Sequence, residues 1–94
     1  MRKVPVRGWI LREAARLTLG ARPGKHGDPV AQHRAAAGLW SAYLGMPVRA
    51  DQVAVCMMLL KVSRTMVGAV NADNYVDGAA YMGIAYEARV ADEA

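Results

Sequence analysis

An all-α fold is what this sequence predicts: a four-helix bundle-like domain built on a central antiparallel hairpin of its third and fourth helices. Three observations carry that expectation. Glycine and proline cut the chain into four stretches of helical length, and no stretch alternates apolar with polar residues as a half-buried strand would. Hydrophobic residues make up 54% of the 94, enough for one core, with six methionines and no phenylalanine. Alanine-rich faces allow close helix packing, and methionine fills the irregular gaps. The run VAVCMMLL in the third stretch is apolar on every side, which suits a helix at the centre of a domain.

The elements can be justified in chain order. Residues 1–8 form a basic lead-in with Pro5, expected to be flexible. The first helix, WILREAARLTL over residues 9–19, puts Ile10, Ala14 and Leu17 in one apolar stripe. Glu13 and Arg16 form an exposed pair three apart, and Gly20 stops the helix. The loop ARPGKHG follows, its glycines and proline forbidding regular structure. Asp28-Pro29 then opens the second helix. Aspartate accepts the orphan N–H groups of a first turn, and proline suits a position where no N–H is needed. This helix runs to about Leu44, and Gly45 ends it. His33, Ala37 and Trp40 share one face, with Ala36, Leu39 and Tyr43 on the adjoining one.

Ala50-Asp51 opens the third helix, expected to reach about Val67, with Lys61 and Arg64 three apart where charge returns. A short turn follows, with Asn71 or Asp73 as the next cap. The fourth helix, NYVDGAAYMGIAYEARV, runs to about Val90. Residues 9–90 thus read as one domain and residues 91–94 as a short acidic tail. Tyr75, Tyr81 and Tyr86 are expected to place their rings in the core and their hydroxyls at its edge.

Composition excludes several classes. The longest apolar run, residues 53–60, falls far short of the roughly 20 residues of a membrane span. The basic N-terminal residues lack the apolar stretch of a secretion signal. Cys56, the single cysteine, supports neither a disulfide framework nor a cysteine metal site and is expected to be a buried small hydrophobe. A reducing, cytoplasmic setting fits. The net charge of +4 is unevenly spread. Residues 1–49 carry nine Lys/Arg against two acids, and residues 50–94 carry three against six. The basic half reads either as a nucleic-acid footprint or as a solubilised helix and loop, and opposite halves of two copies could attract one another.

The fourth helix holds the most informative residue. Asp77 is the only charge between Asn74 and Tyr86, and Asp73, Asp77 and Tyr81 stand four apart in one row. A carboxylate in apolar surroundings is costly unless paired or bound to a cation. An antiparallel hairpin brings Lys61 and Arg64 opposite the start of this helix, so they are the expected partners.

With these residues in place, a resemblance can be stated. Gly27-Asp28-Pro29, LWSAYL at residues 39–44, VAVCMMLLKVSR at 53–64 and DNYVDGAAY at 73–81 resemble a family of small proteins of unknown role encoded by tailed phages and prophages. The match covers roughly residues 9–88. The Leu-Lys-x-x-x-Arg and Asp-x-Tyr-x-Asp-x-x-x-Tyr pieces carry most of its specificity. Two local departures are His26, where relatives often have tyrosine, and Gln32, where they often have asparagine. More distantly, the Lys/Arg pair followed by an Asp-rich helix ending in tyrosine is similar to the all-α MazG-type nucleotide pyrophosphohydrolases. It also resembles a phage-associated helical domain linked to nucleotide modification. The MazG-type likeness implies a dimer with carboxylates holding Mg²⁺ against a nucleoside triphosphate. This chain departs where the enzymes need a Glu-x-x-Glu pair, since its first two helices contain only Glu13.

The resulting expectations are specific. Asp73 and Asp77 would hold Mg²⁺, while Lys61, Arg64 and His26 grip phosphate oxygens. Against this, Asp77 can simply lock the third helix to the fourth, Asp28 can be only a helix cap, and Trp40 and Tyr81 can be core or interface residues. Catalysis would need a further base to position water, and none is evident. Three functions stay open: a nucleotide-binding protein, an interaction protein for a host factor, and a nucleic-acid binder using the arginines of residues 2–22. The apolar surfaces of the third and fourth helices exceed what two short neighbours can cover, which implies a homodimer burying them.

Overall fold

The computed structural model describes residues 6–20 and 27–93, and the described residues form four α-helices with no strand. These are α1 (Val6–Leu19), α2 (Pro29–Leu44), α3 (Ala50–Arg64) and α4 (Ala72–Glu93). The all-helical expectation and the order of elements are borne out. Three boundaries differ from the expected ones. Helix α1 begins three residues earlier than Trp9 and accommodates Gly8. Helix α3 ends at Arg64, three residues before Val67, because the Thr65 N–H and hydroxyl both turn back to the Val62 carbonyl. Helix α4 extends through Glu93, where the Arg89–Glu93 pair at i,i+4 spans its last turn.

The start of α2 forms as its residue types dictate. Asp28 is extended and its carboxylate accepts the Ala31 N–H at 3.2 Å, with Pro29 in the first turn. Gly45 ends the helix with φ +69°, a conformation that glycine adopts without strain, and its N–H donates to the Ser41 carbonyl. Asn71 caps α4 by accepting the Asp73 N–H at 3.0 Å. At the start of α3, Gln52 reaches back to accept the Arg49 N–H at 2.9 Å.

Helices α3 and α4 share the most extensive contact, α1 packs on α4, and α2 packs chiefly on α3. The hairpin is antiparallel in a constant register. Ala50 meets Ala88, Ala54 meets Ile84 and Ala85, and Lys61 meets Asp77, so numbers fall on α4 as they rise on α3. Val30 joins Ala50 and Ala88 in one buried cluster. The α2–α3 connection doubles back to permit this, pinned by the Val48 N–H donating to Ser41 Oγ at 2.8 Å.

The core is thin. Ten hydrophobic residues are buried among the described residues, six of them alanine, and the largest fully buried side chain is Val76. The radius of gyration is 14.6 Å, above the roughly 12.4 Å of a compact chain of this length. Helix α3 is central in its contacts but only partly enclosed within the chain. Ala50, Val53 and Ala54 are buried, but Leu59, Leu60 and Val62 stay exposed. Contacts with α2 gather at the N-terminal end of α3, leaving its outer C-terminal half bare. Cys56, expected in the core, is exposed for the same reason. Tyr75 and Tyr86 are also exposed, on the side of α4 that no helix covers, and only Tyr81 follows the expectation by packing against the Ala54–Ile84–Ala85 cluster.

Candidate functional site

The strongest sequence candidate was the charged end of the α3–α4 hairpin, and its central contact forms. Lys61 Nζ lies 3.3 Å from Asp77 Oδ2. The hairpin register produces this pair, because Gly78 offers the stem of Lys61 a side-chain-free neighbour on α4. The environment is wetter than the surrounding apolar sequence implied: the Asp77 side chain is 40% exposed, and Lys61 is the more covered partner at 18%. An ion pair so placed ties two helices together without the large desolvation cost of a buried charge.

The other members lie nearby in sequence without joining the pair. Arg64, one turn past Lys61, is exposed and makes no ion pair among the described residues. Asp73 is exposed in the first turn of α4, and its N–H, not its carboxylate, takes part in the Asn71 cap. His26 lies outside the described residues. Among the described residues no group of three or more His, Cys, Asp or Glu could hold a metal ion. The expected Mg²⁺ ligands thus reduce to the carboxylates of Asp73 and Asp77, the second of which already pairs with Lys61. Such a pair meets the minimum for Mg²⁺ only when phosphate oxygens and waters complete the shell.

Asp28 acts as a helix cap, as weighed. It also lies on the rim of a groove of about 500 Å³ between α1 and α4, whose lining includes Leu11, Ala15, Gly83, Ile84 and Glu87. His33 donates from Nδ1 to the Pro29 carbonyl at 2.8 Å and meets the Tyr81 ring edge-on, with ring centroids 5.9 Å apart. Those contacts make His33 a bridge between α2 and α4. Trp40 is half-buried and lines a second cavity, of about 490 Å³, with Leu39, Tyr43 and Leu44.

Sequence reasoning missed a second charged network. Asp51 accepts from Arg49 at 2.9 Å and lies 3.9 Å from Arg89, which pairs with Glu93. The Arg49 hydrogen bond, with the Arg89 charge behind it, holds the Asp51 carboxyl below the usual carboxylate range. Arg34 pairs with Asp92 and ties α2 to the end of α4. Among the described residues of the basic N-terminal half, Arg16 is occupied by Glu13, whose carboxyl that contact lowers. The i,i+3 spacing of the last pair was readable, whereas the long-range pairs depend on the register of α4.

With the geometry in place, comparison with known proteins gives the kinship. Residues 9–89 match the family model described as a domain of unknown function, DUF6378. The chain belongs to this family. A curated relative is the Gene 55 protein of Mycobacterium phage L5, 38% identical over 76 residues, or 80% of this chain. The chain spans about half the length of that relative, 49% of it. No solved structure matches the chain. The DUF6378 kinship bears out the resemblance to a phage protein family and stops there, since neither comparison reaches the MazG-type enzymes. No helix among the described residues is long and apolar enough to cross a membrane.

Proposed function

We propose that this DUF6378 chain is a phage-encoded interaction protein that works through apolar helix faces covered by protein. One observation carries the reading: against ten buried hydrophobic residues stand nineteen large hydrophobics exposed among the described residues. Scattered apolar residues are ordinary on a surface, but contiguous apolar helix faces mark sites of association. Most of the charged groups near these faces pair within the chain, through Glu13–Arg16, Arg34–Asp92, Asp51–Arg89 and Lys61–Asp77. The relative in Mycobacterium phage L5 supports a phage setting. Light scattering on the purified chain tests the proposal. A particle heavier than one chain is expected, and a sharply folding monomer that stays single at every concentration would overturn it.

A second reading, binding of a nucleotide or other phosphate ligand with Mg²⁺, is favoured by the free cation at the hairpin end. Arg64, one turn past Lys61 and without an ion-pair partner among the described residues, and Asp73, exposed one turn before Asp77, offer a two-cation grip with two carboxylates for the metal. Calorimetric titration with nucleoside triphosphates and with inorganic phosphate, each with and without Mg²⁺, decides it. Heat that Arg64→Ala abolishes is the expected result, and flat titrations throughout would remove this reading.

A further inference from the structure

We infer that the outer face and C-terminal end of α2 form the twofold contact of a homodimer, with a second copy of this chain as occupant. The inference rests on the interaction reading above and names both its partner and its surface. Helix α2 has sixteen residues and one charge, Arg34, which is engaged by Asp92. At 100° per residue its solvent side is Ala31, Gln32, Ala35, Gly38, Leu39, Ala42 and Tyr43, every one of them exposed and none charged. A helix meeting only water would carry charge on that side. Leu39 is 73% exposed and Tyr43 90%, the two most exposed large apolar residues of α2. They border a shallow surface hollow that Trp40 and Leu44 complete on the adjoining side of the helix, so large apolar side chains flank the small-residue stripe.

Surface area, core composition and charge select a second copy. The surface of 6890 Å² exceeds by about 1,600 Å² the roughly 5,300 Å² of a folded monomer of 10.1 kDa. An obligate homodimer buries about 2,000–5,000 Å² in total, or about 1,000–2,500 Å² per chain, which brackets that excess. The thin alanine core is a property of the chain itself, so its cover must be present wherever the chain is made. A copy of the chain always is. Lastly, an uncharged face can meet its own image across a twofold axis without repulsion, and small residues at 31, 35, 38 and 42 let two antiparallel backbones approach. Leu39 and Tyr43 of each copy then flank the contact and bury apolar surface at its edge. Rival apolar faces lie on the outside of α3 and along Tyr75, Met82 and Tyr86 of α4, and none of their large residues is as exposed as Tyr43.

The test compares two substitutions by sedimentation equilibrium. A Cβ at Gly38 meets nothing within 4 Å inside the chain, so Gly38→Arg places a charge on the proposed axis without a clash in the protomer. It should weaken the dimer by about a hundredfold or more, because an unpaired charge is buried, while helical circular dichroism persists. Ser63→Arg, on the exposed side of α3, should leave the dimer intact. An independent readout uses Gly38→Cys in a Cys56→Ser background. Mild oxidation should link the two chains, since an axis at residue 38 brings the cysteines within disulfide reach. A wild-type dimer that survives Gly38→Arg and resists linking at residue 38 overturns the assignment of the face and leaves the interaction reading standing. Dissociation by Ser63→Arg alone would move the contact to α3, and a wild-type monomer would overturn both.

Discussion

Asp28 decides where α2 begins, and its energetic share can be measured. The carboxylate satisfies the Ala31 N–H, one of the donors that a helix start leaves without a partner. Asp28→Ala should cost about 1 kcal/mol, and the midpoint of thermal unfolding should fall by about 4–8 °C. A change within error would show that Pro29 alone suffices to start the helix. Asp77 behaves differently because it is partly solvated. Removing its charge with Asp77→Asn should cost about 1 kcal/mol or less, the range of exposed ion pairs. Lys61→Ala should cost more than Asp77→Asn, since the covered lysine stem packs beside Gly78 and is lost with its charge. Equal losses from the two variants would mean that the stem contributes nothing. A collapse of the fold by Asp77→Asn would restore the deeply buried carboxylate that the apolar sequence around it suggested.

At the scale of helices, the ends of α3 and α4 are joined by charge as well as by alanine. Asp51 sits at the start of α3 with its side chain 13% exposed, between Arg49 and Arg89. Its carboxyl is held below its ordinary range in the fold, so the unfolded chain binds the proton more readily. The resulting stability is present above the unfolded value, near 3.9, and is lost as pH falls through the lower folded value. Asp51→Asn should therefore lower the unfolding midpoint at pH 7, and the gap to wild type should close on acidification toward pH 3. A gap that persists at low pH would assign the effect to packing and not to charge. Helix existence, the Asp28 cap, the Gly45 stop and the Lys61–Asp77 pair were all legible in the sequence. The first three are local, and the last follows from hairpin register. What the sequence did not reveal was which faces are covered. VAVCMMLL reads as central, yet Cys56 and Leu59 face outward, because the returning α2–α3 connection directs α2 to one end of α3. The same coverage leaves Tyr75 and Tyr86 exposed. Roles for Lys61, Arg64, Asp73 and Asp77 in binding were readable only as residue types, since the pair that forms serves the fold whether or not a ligand comes.

For the whole molecule, the balance between core and surface ties the proposed assembly to stability. Among the described residues six of ten buried hydrophobics are alanines, whose burial removes little apolar area each, while most leucines and tyrosines remain outside. A single domain of this size already lies near the lower limit at which one core suffices, and a core of small residues lowers the margin further. If folding and association are coupled, the unfolding midpoint must rise with chain concentration, because mass action favours the associated folded state. Each tenfold rise in concentration contributes about 1.4 kcal/mol per dimer, a shift of several degrees for a chain this short. Scanning calorimetry over a hundredfold concentration range reads this directly, and Gly38→Arg should flatten the dependence while lowering the midpoint. A midpoint independent of concentration, with the calorimetric and van't Hoff enthalpies equal for one chain, would mean that this thin core holds the fold unaided. The exposed faces would then need no protein cover, and the interaction reading would fall together with the dimer.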